Sequence, residues 1–211
     1  MRKVLSVSIA AYNVDKYLND VLSCFLAEEV LKKSEIIIVS DGSTDQTPVI
    51  ARKYVEKYPD TFILIDKQNG GWGSTLNAAM KIATGKYFKV IDSDDWVEAE
   101  SYHKFLELLK TLDCDLIATR FVCVHAQQNK IKKREIEGSK QIPKETILSF
   151  CDYARKLHIR MHECTMRTKL LIIIENRFGF QLRRLIIVSK HERSKRSDQT
   201  KLIEKAQLIR L

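Results

Sequence analysis

Long apolar runs, prolines and paired cysteines are all scarce in this sequence of 211 residues. No stretch approaches the ~18 consecutive apolar residues that a membrane-spanning helix needs. Prolines number three and hydrophobic residues make up 45% of the chain, a composition typical of a folded globular protein rather than a disordered one. A chain of this length is expected to form one sizeable domain with room for a small appendage.

The five cysteines are odd in number, widely spaced and form no Cys-x-x-Cys pair. This pattern argues against a disulfide framework or a zinc site and favours reduced thiols in a cytosolic setting. The N-terminal segment MRKVLSVSIAAYN has the basic start and apolar run of a signal peptide. The run is short, however, and Ser6 and Ser8 give it the period of two that is typical of a strand. We therefore expect a cytoplasmic protein.

The net charge of +9 is concentrated in one part of the chain. Residues 1–150 hold 21 basic and 21 acidic side chains, so the whole excess lies in residues 151–211. The basic groups at residues 132–134 and 193–196 are interpreted as solvated faces, or alternatively as contacts with phosphate-rich lipid at the inner face of a membrane. A nucleic-acid binder would rest on charge alone, without a binding motif, so no nucleic-acid partner is expected.

Strand and helix patterns alternate through the first 120 residues. Strands are predicted at residues 4–10, 35–40, 61–66, 86–91 and 115–120, and helices at 17–27, 47–58, 74–83 and 98–112. Thr47 is expected to cap its helix, and Gly85 to supply a left-handed C-terminal cap. The alternation predicts an α/β fold with a mostly parallel sheet and right-handed crossovers.

Beyond residue 120 the pattern is weaker. Residues 121–126 and 130–137 alternate like a β-hairpin, and residues 143–154 have a helical pattern. Residues 168–174 are apolar, and periodicity does not distinguish helix from strand there. Two composition boundaries are expected, so that residues 1–120, 121–175 and 176–211 form a first half, a second half and a basic tail.

Several polar segments follow the predicted strands directly. Ligands of parallel sheets bind beyond the carboxyl ends of the strands, which is where Tyr12, Asp41, the loop at residues 69–73 and the acidic run starting at Asp92 all fall. Asp41 could accept a hydrogen bond from a base N–H or a ribose hydroxyl. The glycine-rich loop NGGWG is either a backbone surface for a flat or phosphorylated ligand or an ordinary turn. It lacks the Gly-Lys-Ser/Thr of a P-loop and the spacing of a dinucleotide fingerprint.

The acidic run reads DSDD and contains Asp92, Asp94 and Asp95. Three carboxylates within four residues repel one another, so a fold that holds them together needs a compensating cation. Hard ions such as Mg²⁺ or Mn²⁺ prefer such oxygen ligands and keep water and phosphate oxygens as well. The alternative is a solvated turn that caps the helix beginning near Glu98, because Asp and Ser are favoured N-caps.

The segments SVSIAAYN, IIIVSDGSTD and NGGWGSTLNAAMKIATGKYFKVIDSDDW together resemble the nucleotide-binding half of family 2 inverting glycosyltransferases. The similarity covers residues 4 to about 120. It extends to residues 161–168, MHECTMRT, which are similar to a segment just before the catalytic base of bacterial polysaccharide-type members. The resemblance implies the GT-A nucleotide-diphospho-sugar transferase fold, a mostly parallel sheet flanked by helices.

The resemblance also implies roles for individual residues. Asp41 would bind the uracil of a UDP-sugar, and Asp92 and Asp94, as the DxD motif, would hold a divalent metal, with Asp92 also facing the ribose or sugar. Asp95 is an extra acid at the same place. The remaining donor-site residues would line the base and flank the nucleotide and sugar: Ala10, Tyr12, Asn69, Gly70 and Gly71.

The implied activity is metal-assisted transfer of a sugar, with inversion, to a glycan or lipid-linked acceptor. In the family the base is an acid in the second half of the chain, but here no acid occurs between Glu175 and Glu192. A truncated or frameshifted gene would explain this departure together with the basic shift. Glu163 is the candidate base and His162 a candidate acceptor-side or metal-binding group. The alternative is a relative that binds nucleotide-sugar without efficient transfer.

Overall fold

The computed structural model describes residues 3–119, 123–125, 130–132, 147–149, 163–171 and 207–210. The chain divides into two compact units. The first comprises Met1–Asp113 and Arg167–Leu182, and the second comprises Cys114–Met166 and Arg183–Leu211. The backbone of the first unit carries the segments that the sequence analysis placed around a ligand.

A parallel sheet forms the centre of the first unit. Its strands are β1 Leu5–Ala11, β2 Ser34–Asp41, β3 Phe62–Lys67 and β4 Tyr87–Asp92, in the order β3-β2-β1-β4. All four predicted strands are confirmed to within one residue at each end. Every residue of β2 is buried, as expected for a continuous apolar strand covered on both faces.

Five helices connect the strands of this unit: α1 Asp15–Ser23, α2 Glu28–Lys33, α3 Thr47–Lys57, α4 Trp72–Ile82 and α5 Ala99–Thr111. The helix predicted over residues 17–27 is confirmed as far as Ser23, where α1 stops, and is wrong beyond it. The amides of the next three residues bond to the carbonyl three residues back, which tightens the chain and ends the α-helical turn. Phe25 is thereby placed in the core, with its ring edge-on to Tyr102 of α5 at 5.3 Å.

The cap predicted at Gly85 is also wrong. Helix α4 is followed by Ala83 in an extended conformation, and Gly85 does not have a positive φ. Glycine is needed there for a different reason, because a Cβ at Gly85 would lie 2.5 Å from the backbone nitrogen of Ser6. The start of β4 can therefore approach β1 only without a side chain at this position.

The described strands of the second unit are β5 Leu116–Ala118, β6 Cys123–His125, β7 Lys130–Lys132, β8 Ile147–Ser149, β9 Cys164–Arg167 and β10 Gln207–Arg210. The last residue of β9, Arg167, belongs to the first unit. β5 is antiparallel to β9 and parallel to β10, and β10 is antiparallel to β8. The predicted hairpin is confirmed where described, since β6 and β7 pair antiparallel.

The helix predicted over residues 143–154 is wrong at its centre. Ile147–Ser149 pairs with Gln207–Arg210, so a partner nearly 60 residues away overrides the local helical pattern. The apolar segment at residues 168–171 forms a helical turn. Within the described residues, no helix is both long enough and apolar enough to cross a bilayer.

Candidate donor site at the carboxyl edge of the sheet

The four parallel strands of the first unit end at one edge. Ala10 of β1 is the cross-strand partner of Asp92 in β4, and Asp41 of β2 is the partner of Lys67 in β3. Parallel register therefore brings the polar segments that follow these strands to the same edge, where ligands of such sheets bind.

Asp41 is held by its own neighbours at this edge. The residue is 3% exposed, and its Oδ1 accepts hydrogen bonds from Lys67 Nζ at 2.5 Å and from the Gly70 amide at 3.0 Å. Its Oδ2 accepts one from the Gly71 amide at 2.8 Å. Burial acts to raise the pKa of Asp41, but the donors from Lys67, Gly70 and Gly71 outweigh it, so the pKa is lowered. The carboxylate is therefore charged and anchors the glycine-rich loop.

The loop after β3 is consequently ordered by specific bonds. Lys67 Nζ also donates to the Gln68 carbonyl at 2.6 Å and to Ser74 Oγ at 2.9 Å, and Ser74 Oγ donates to the Gly71 carbonyl at 2.8 Å. Gly71 has a φ of +79°, a left-handed conformation that suits glycine. The glycine-rich loop is thus closed around the Lys67 ammonium group.

A second glycine lets the loops after β2 and β3 meet. Gly42 has a φ of +72°, and a Cβ there would lie 2.8 Å from the Asn69 backbone nitrogen. Asn69 therefore packs directly against the residue that follows Asp41. This contact joins the two loops into one surface.

The loop after β1 is tied to the loop after β2. Asn13, at φ +52°, accepts a bond from the Thr44 amide at 2.8 Å and donates its own amide to Ser43 Oγ at 3.2 Å. Thr47 Oγ1 accepts from the Val14 amide at 2.9 Å, so Thr47 does not cap its own helix as predicted. Tyr12 is left 55% exposed beside these bonds.

The acidic run forms a tight turn after β4. Asp92 is partly buried, Asp94 and Asp95 are exposed, and the Asp95 amide donates to the Asp92 carbonyl at 3.1 Å. Helix α5 is capped by Glu98, whose carboxylate accepts from the amides at residues 100 and 101 at 3.0 and 2.7 Å. The alternative that the acidic run caps this helix is therefore wrong.

Asp92 and Asp94 fit a divalent cation by their chemistry. Neither carboxylate has a hydrogen bond or ion pair to any residue that the structure describes. In the described part of the chain, no group of three or more His, Cys, Asp or Glu side chains is placed to hold a metal ion together. Asp92 and Asp94 would thus supply two carboxylates, which is how proteins commonly hold Mg²⁺ whose other ligands are water and phosphate oxygens.

Two residues at this edge were missed by the sequence analysis. Lys67 is the counter-ion of Asp41, and Trp96, directly after the acidic run, is 59% exposed. A large aromatic ring that is this exposed is a candidate contact for a ligand's flat or apolar face. The sequence places Lys67 at the end of an apolar strand, but its pairing with Asp41 depends on β3 lying next to β2.

The two acceptor-side candidates belong to the second unit. Glu163 is 3% exposed, and its backbone carbonyl accepts from the Thr119 amide at 2.9 Å and from Thr119 Oγ1 at 3.1 Å. His162 lies outside the described residues.

The sequence of this chain is similar to those of known proteins. The sequence profile of the family described as Glycosyl transferase family 2 matches residues 6–173. GgaB of Bacillus subtilis, a minor teichoic acid biosynthesis protein, is 32% identical over 102 residues, which are 48% of this chain and 11% of GgaB. An uncharacterized glycosyltransferase of Mycoplasma genitalium, MG025, is 33% identical over 61% of this chain and 43% of its own length. The chain spans less than half the length of these curated relatives.

Solved structures share the same fold. Staphylococcus aureus TarS, residues 1–349 with UDP-GlcNAc, superposes with a TM-score of 0.62 at 23% identity, covering 82% of this chain and 47% of that one. Together with the matched profile, this likeness means that the chain has the GT-A fold and belongs to glycosyl transferase family 2.

Proposed function

We propose that this protein transfers a hexose from a UDP-sugar donor to a glycan or lipid-linked acceptor, with inversion and with the help of Mn²⁺ or Mg²⁺. The observation that carries the proposal is the placement of Asp92 and Asp94, whose carboxylates have no partner among the described residues, at the same sheet edge as the anchored carboxylate of Asp41. An anionic diphosphate cannot approach these acids unless a cation lies between them.

The nucleotide base would bind near Asp41. Oδ1 of Asp41 already accepts two hydrogen bonds, whereas Oδ2 accepts one from Gly71 and retains a lone pair. That lone pair can accept a uracil N–H. The exposed ring of Tyr12, two residues after Ala10, would offer a surface for the base, and the loop at Asn69, Gly70 and Gly71 would flank the nucleotide and sugar.

The diphosphate would bind at the acidic turn. Asp94, and Asp92 beside it, would hold the divalent ion, and Asp92 would also face the ribose or sugar. The bound ion supplies neutralisation of the charge that develops on the departing diphosphate. Asp95, which is exposed next to these acids, adds negative charge to the turn.

The named relatives support this choice of donor, metal and acceptor class. TarS, a poly(ribitol-phosphate) β-N-acetylglucosaminyltransferase, has been solved with UDP and with UDP-GlcNAc. A mannosyltransferase from Pyrobaculum calidifontis, with a TM-score of 0.52 at 19% identity over 82% of this chain and 47% of that one, was solved with GDP-Man and Mn²⁺. By analogy we propose a role in surface polysaccharide synthesis, in the cytoplasm and in peripheral contact with the membrane that carries the acceptor.

The acceptor hydroxyl needs a base, and we propose Glu163 for that role, with the preceding residue, His162, as a second polar group on the acceptor side. This assignment gives each segment of the chain a separate role. Residues 1–120 would bind the donor, residues 121–175 would bind the acceptor, and residues 176–211 would form a basic tail. Positioned general bases contribute about 10²–10⁴-fold to rate.

Calorimetric titration with UDP tests the donor site. We expect binding in Mn²⁺ that is lost in EDTA and weakened about 10-fold or more in Asp92→Asn and Asp94→Asn, since each variant removes a charged metal ligand. Asp60→Asn, in an exposed turn at the other end of the sheet, is the matched control and should bind as the unmodified protein does. Equal UDP affinity with and without EDTA would rule out the metal role. Stronger binding of GDP than of UDP would refute the choice of nucleotide.

A further inference from the structure

A cavity lies at the end of the sheet opposite the donor edge. Its volume is 450 Å³, and its walls come from the residues before β1, the connection from α4 to β4, α5, and residues 167–169. Five of its ten lining residues are cationic and none is acidic: Lys3, Lys86, Lys110, Arg167 and Lys169. All of them belong to the first unit. The sequence analysis did not single out any of these residues.

Two of the five cations are neutralised by neighbouring acids. Arg167 pairs with Asp113 at 2.8 Å, and Lys110 pairs with Glu107 at 2.9 Å. Another carboxylate, Glu35, lies behind the connection from α4 to β4. It accepts hydrogen bonds from that connection and from β1, and its charge acts to raise the pKa of Lys3, so it offsets part of the charge of that one lysine.

The other three cations have no carboxylate within ion-pair distance in the part of the chain that the structure describes. Lys3 Nζ donates to the Leu31 carbonyl at 2.9 Å, and Lys86 Nζ donates to the Leu112 carbonyl at 2.5 Å. A lysine that donates to one carbonyl keeps two further N–H donors. Lys169 is exposed and donates to no carbonyl of a described residue. The cavity therefore carries an excess of positive charge with unused donors.

Part of this charge is held in place before any ligand arrives. The Lys86 ammonium and the Arg167 guanidinium lie 5.2 and 5.8 Å from the centroid of the Tyr87 ring. Tyr87 is fully buried, and its hydroxyl donates to the Leu112 carbonyl at 2.8 Å, so the ring cannot move away. Burial lowers the pKa of Lys3, against the raising effects of Glu35 and Asp60, which marks an ammonium group that is short of solvation.

We propose that this cavity binds a phosphate-bearing ligand, either a free phosphorylated small molecule or the headgroup of an anionic lipid. Its volume is in the range of small-molecule sites, and lysine is a common partner of phosphate oxygens. Three cations without a carboxylate partner among the described residues, in a cavity that no acidic residue lines, suit an anion with several oxygens. The site is separate from the donor edge and does not depend on the proposed transfer reaction.

Titration with pyrophosphate in the presence of EDTA tests the proposal, because EDTA removes any metal that could hold pyrophosphate at the acidic turn. We expect saturable binding that weakens about 10-fold or more in Lys169→Gln and in Lys86→Gln, as for the loss of a charged hydrogen bond. Lys53→Gln, an exposed lysine of α3 without a described partner, is the matched control and should bind as the unmodified protein does. Lys169→Gln removes no described contact, so it remains informative if Lys86→Gln folds poorly.

A second arm identifies the source of the phosphate. Sedimentation with phosphatidylglycerol vesicles is compared with sedimentation with phosphatidylcholine vesicles, for the same variants. Binding to the anionic vesicles that Lys169→Gln weakens and Lys53→Gln does not would assign a lipid headgroup. Weakened pyrophosphate binding alone would assign a soluble ligand. The proposal would be overturned if the protein bound neither pyrophosphate nor the anionic vesicles, or if Lys169→Gln and Lys53→Gln bound them equally well. UDP binding in Mn²⁺ should be unchanged in Lys169→Gln, which separates this outcome from any failure of the donor site.

Discussion

Lys67 and Asp41 are cross-strand partners at the ends of β3 and β2, and the Lys67 ammonium lies 2.5 Å from Asp41 Oδ1. Asp41 is almost fully buried while Lys67 keeps a quarter of its side chain exposed. The pair holds a charged carboxylate at the ligand edge and fixes the glycine-rich loop through the amides of Gly70 and Gly71. Asp41 therefore acts on both the local order of the loop and the electrostatics of the site.

Asp41→Asn should weaken UDP binding and also lower the free energy of unfolding. The amide nitrogen of Asn would face donors on at least one side, and a lost hydrogen bond to a charged group is worth about 1.5–3 kcal/mol. Urea unfolding and UDP titration measure the two effects. Asp66→Asn is the control, because Asp66 pairs with Arg52 on the surface, where ion pairs contribute about 0–1 kcal/mol. Unchanged UDP affinity with a lower unfolding free energy would make Asp41 purely structural.

The stabilising effect of Asp41 should disappear in acid. Because the folded-state pKa of Asp41 is lowered, its contribution is complete above the ordinary value of about 3.9 and is lost as pH falls through the lowered pKa. We expect the difference in unfolding free energy between the unmodified protein and Asp41→Asn to be constant from neutral pH to about pH 5 and to shrink below about pH 4. Urea midpoints measured across this range check it. A difference that grew in acid would contradict the lowered pKa.

How far the sequence predicts this structure depends on the range of the interactions involved. Strands β1 to β4 were predicted closely, because an apolar run such as that of β2 records burial in consecutive residues. The roles of Lys67 and Gly85 could not be read locally. The first depends on the register between parallel strands, and the second on a close approach to Ser6 from 79 residues away. Strand β8 was missed for the same reason, since its partner is β10.

The sequence predicted where the candidate site lies more completely than it predicted the contacts of the residues in it. The four segments beyond the strand ends were expected at one edge because parallel strands share a direction. The sequence left two interpretations of the acidic run, and the Glu98 cap decided against one of them. The amides that donate to Asp41 belong to the glycine-rich loop, and the sequence of such a loop does not determine its conformation.

Glu35 offers a test of stability that should leave the donor site intact. Its buried carboxylate accepts from Ser6 Oγ, from both the amide and Oγ1 of Thr84, and from the Gly85 amide. In Glu35→Gln the amide NH₂ would face some of these donors, so we expect a loss of about 2–3 kcal/mol in unfolding free energy. UDP affinity should not change, because the network lies at the opposite end of the sheet.

Glu56→Gln is the matched control for this measurement, since Glu56 is exposed on α3 and has no described partner. Its unfolding free energy should stay within about 0.5 kcal/mol of the unmodified value, as for most surface changes. If Glu35→Gln were equally neutral, the four bonds to Glu35 would contribute nothing net. A large loss of UDP affinity in Glu35→Gln would show that the two ends of the sheet are coupled.

Glu163→Gln distinguishes transfer from donor binding alone. If Glu163 deprotonates the acceptor, the variant should lose acceptor-dependent UDP release by about 10²–10⁴-fold while its affinity for UDP stays unchanged, because the amide cannot take up a proton. The assay uses several UDP-sugars with glycan acceptors, and Asp115→Asn is the control from the same unit. A variant that keeps full transfer would show that the buried Glu163 is structural.

The stretch without acids between Glu175 and Glu192 favours one further outcome of the same assay. If the unmodified protein binds UDP-sugar but releases UDP no faster with acceptor than with water, it is a donor-binding relative rather than an efficient transferase.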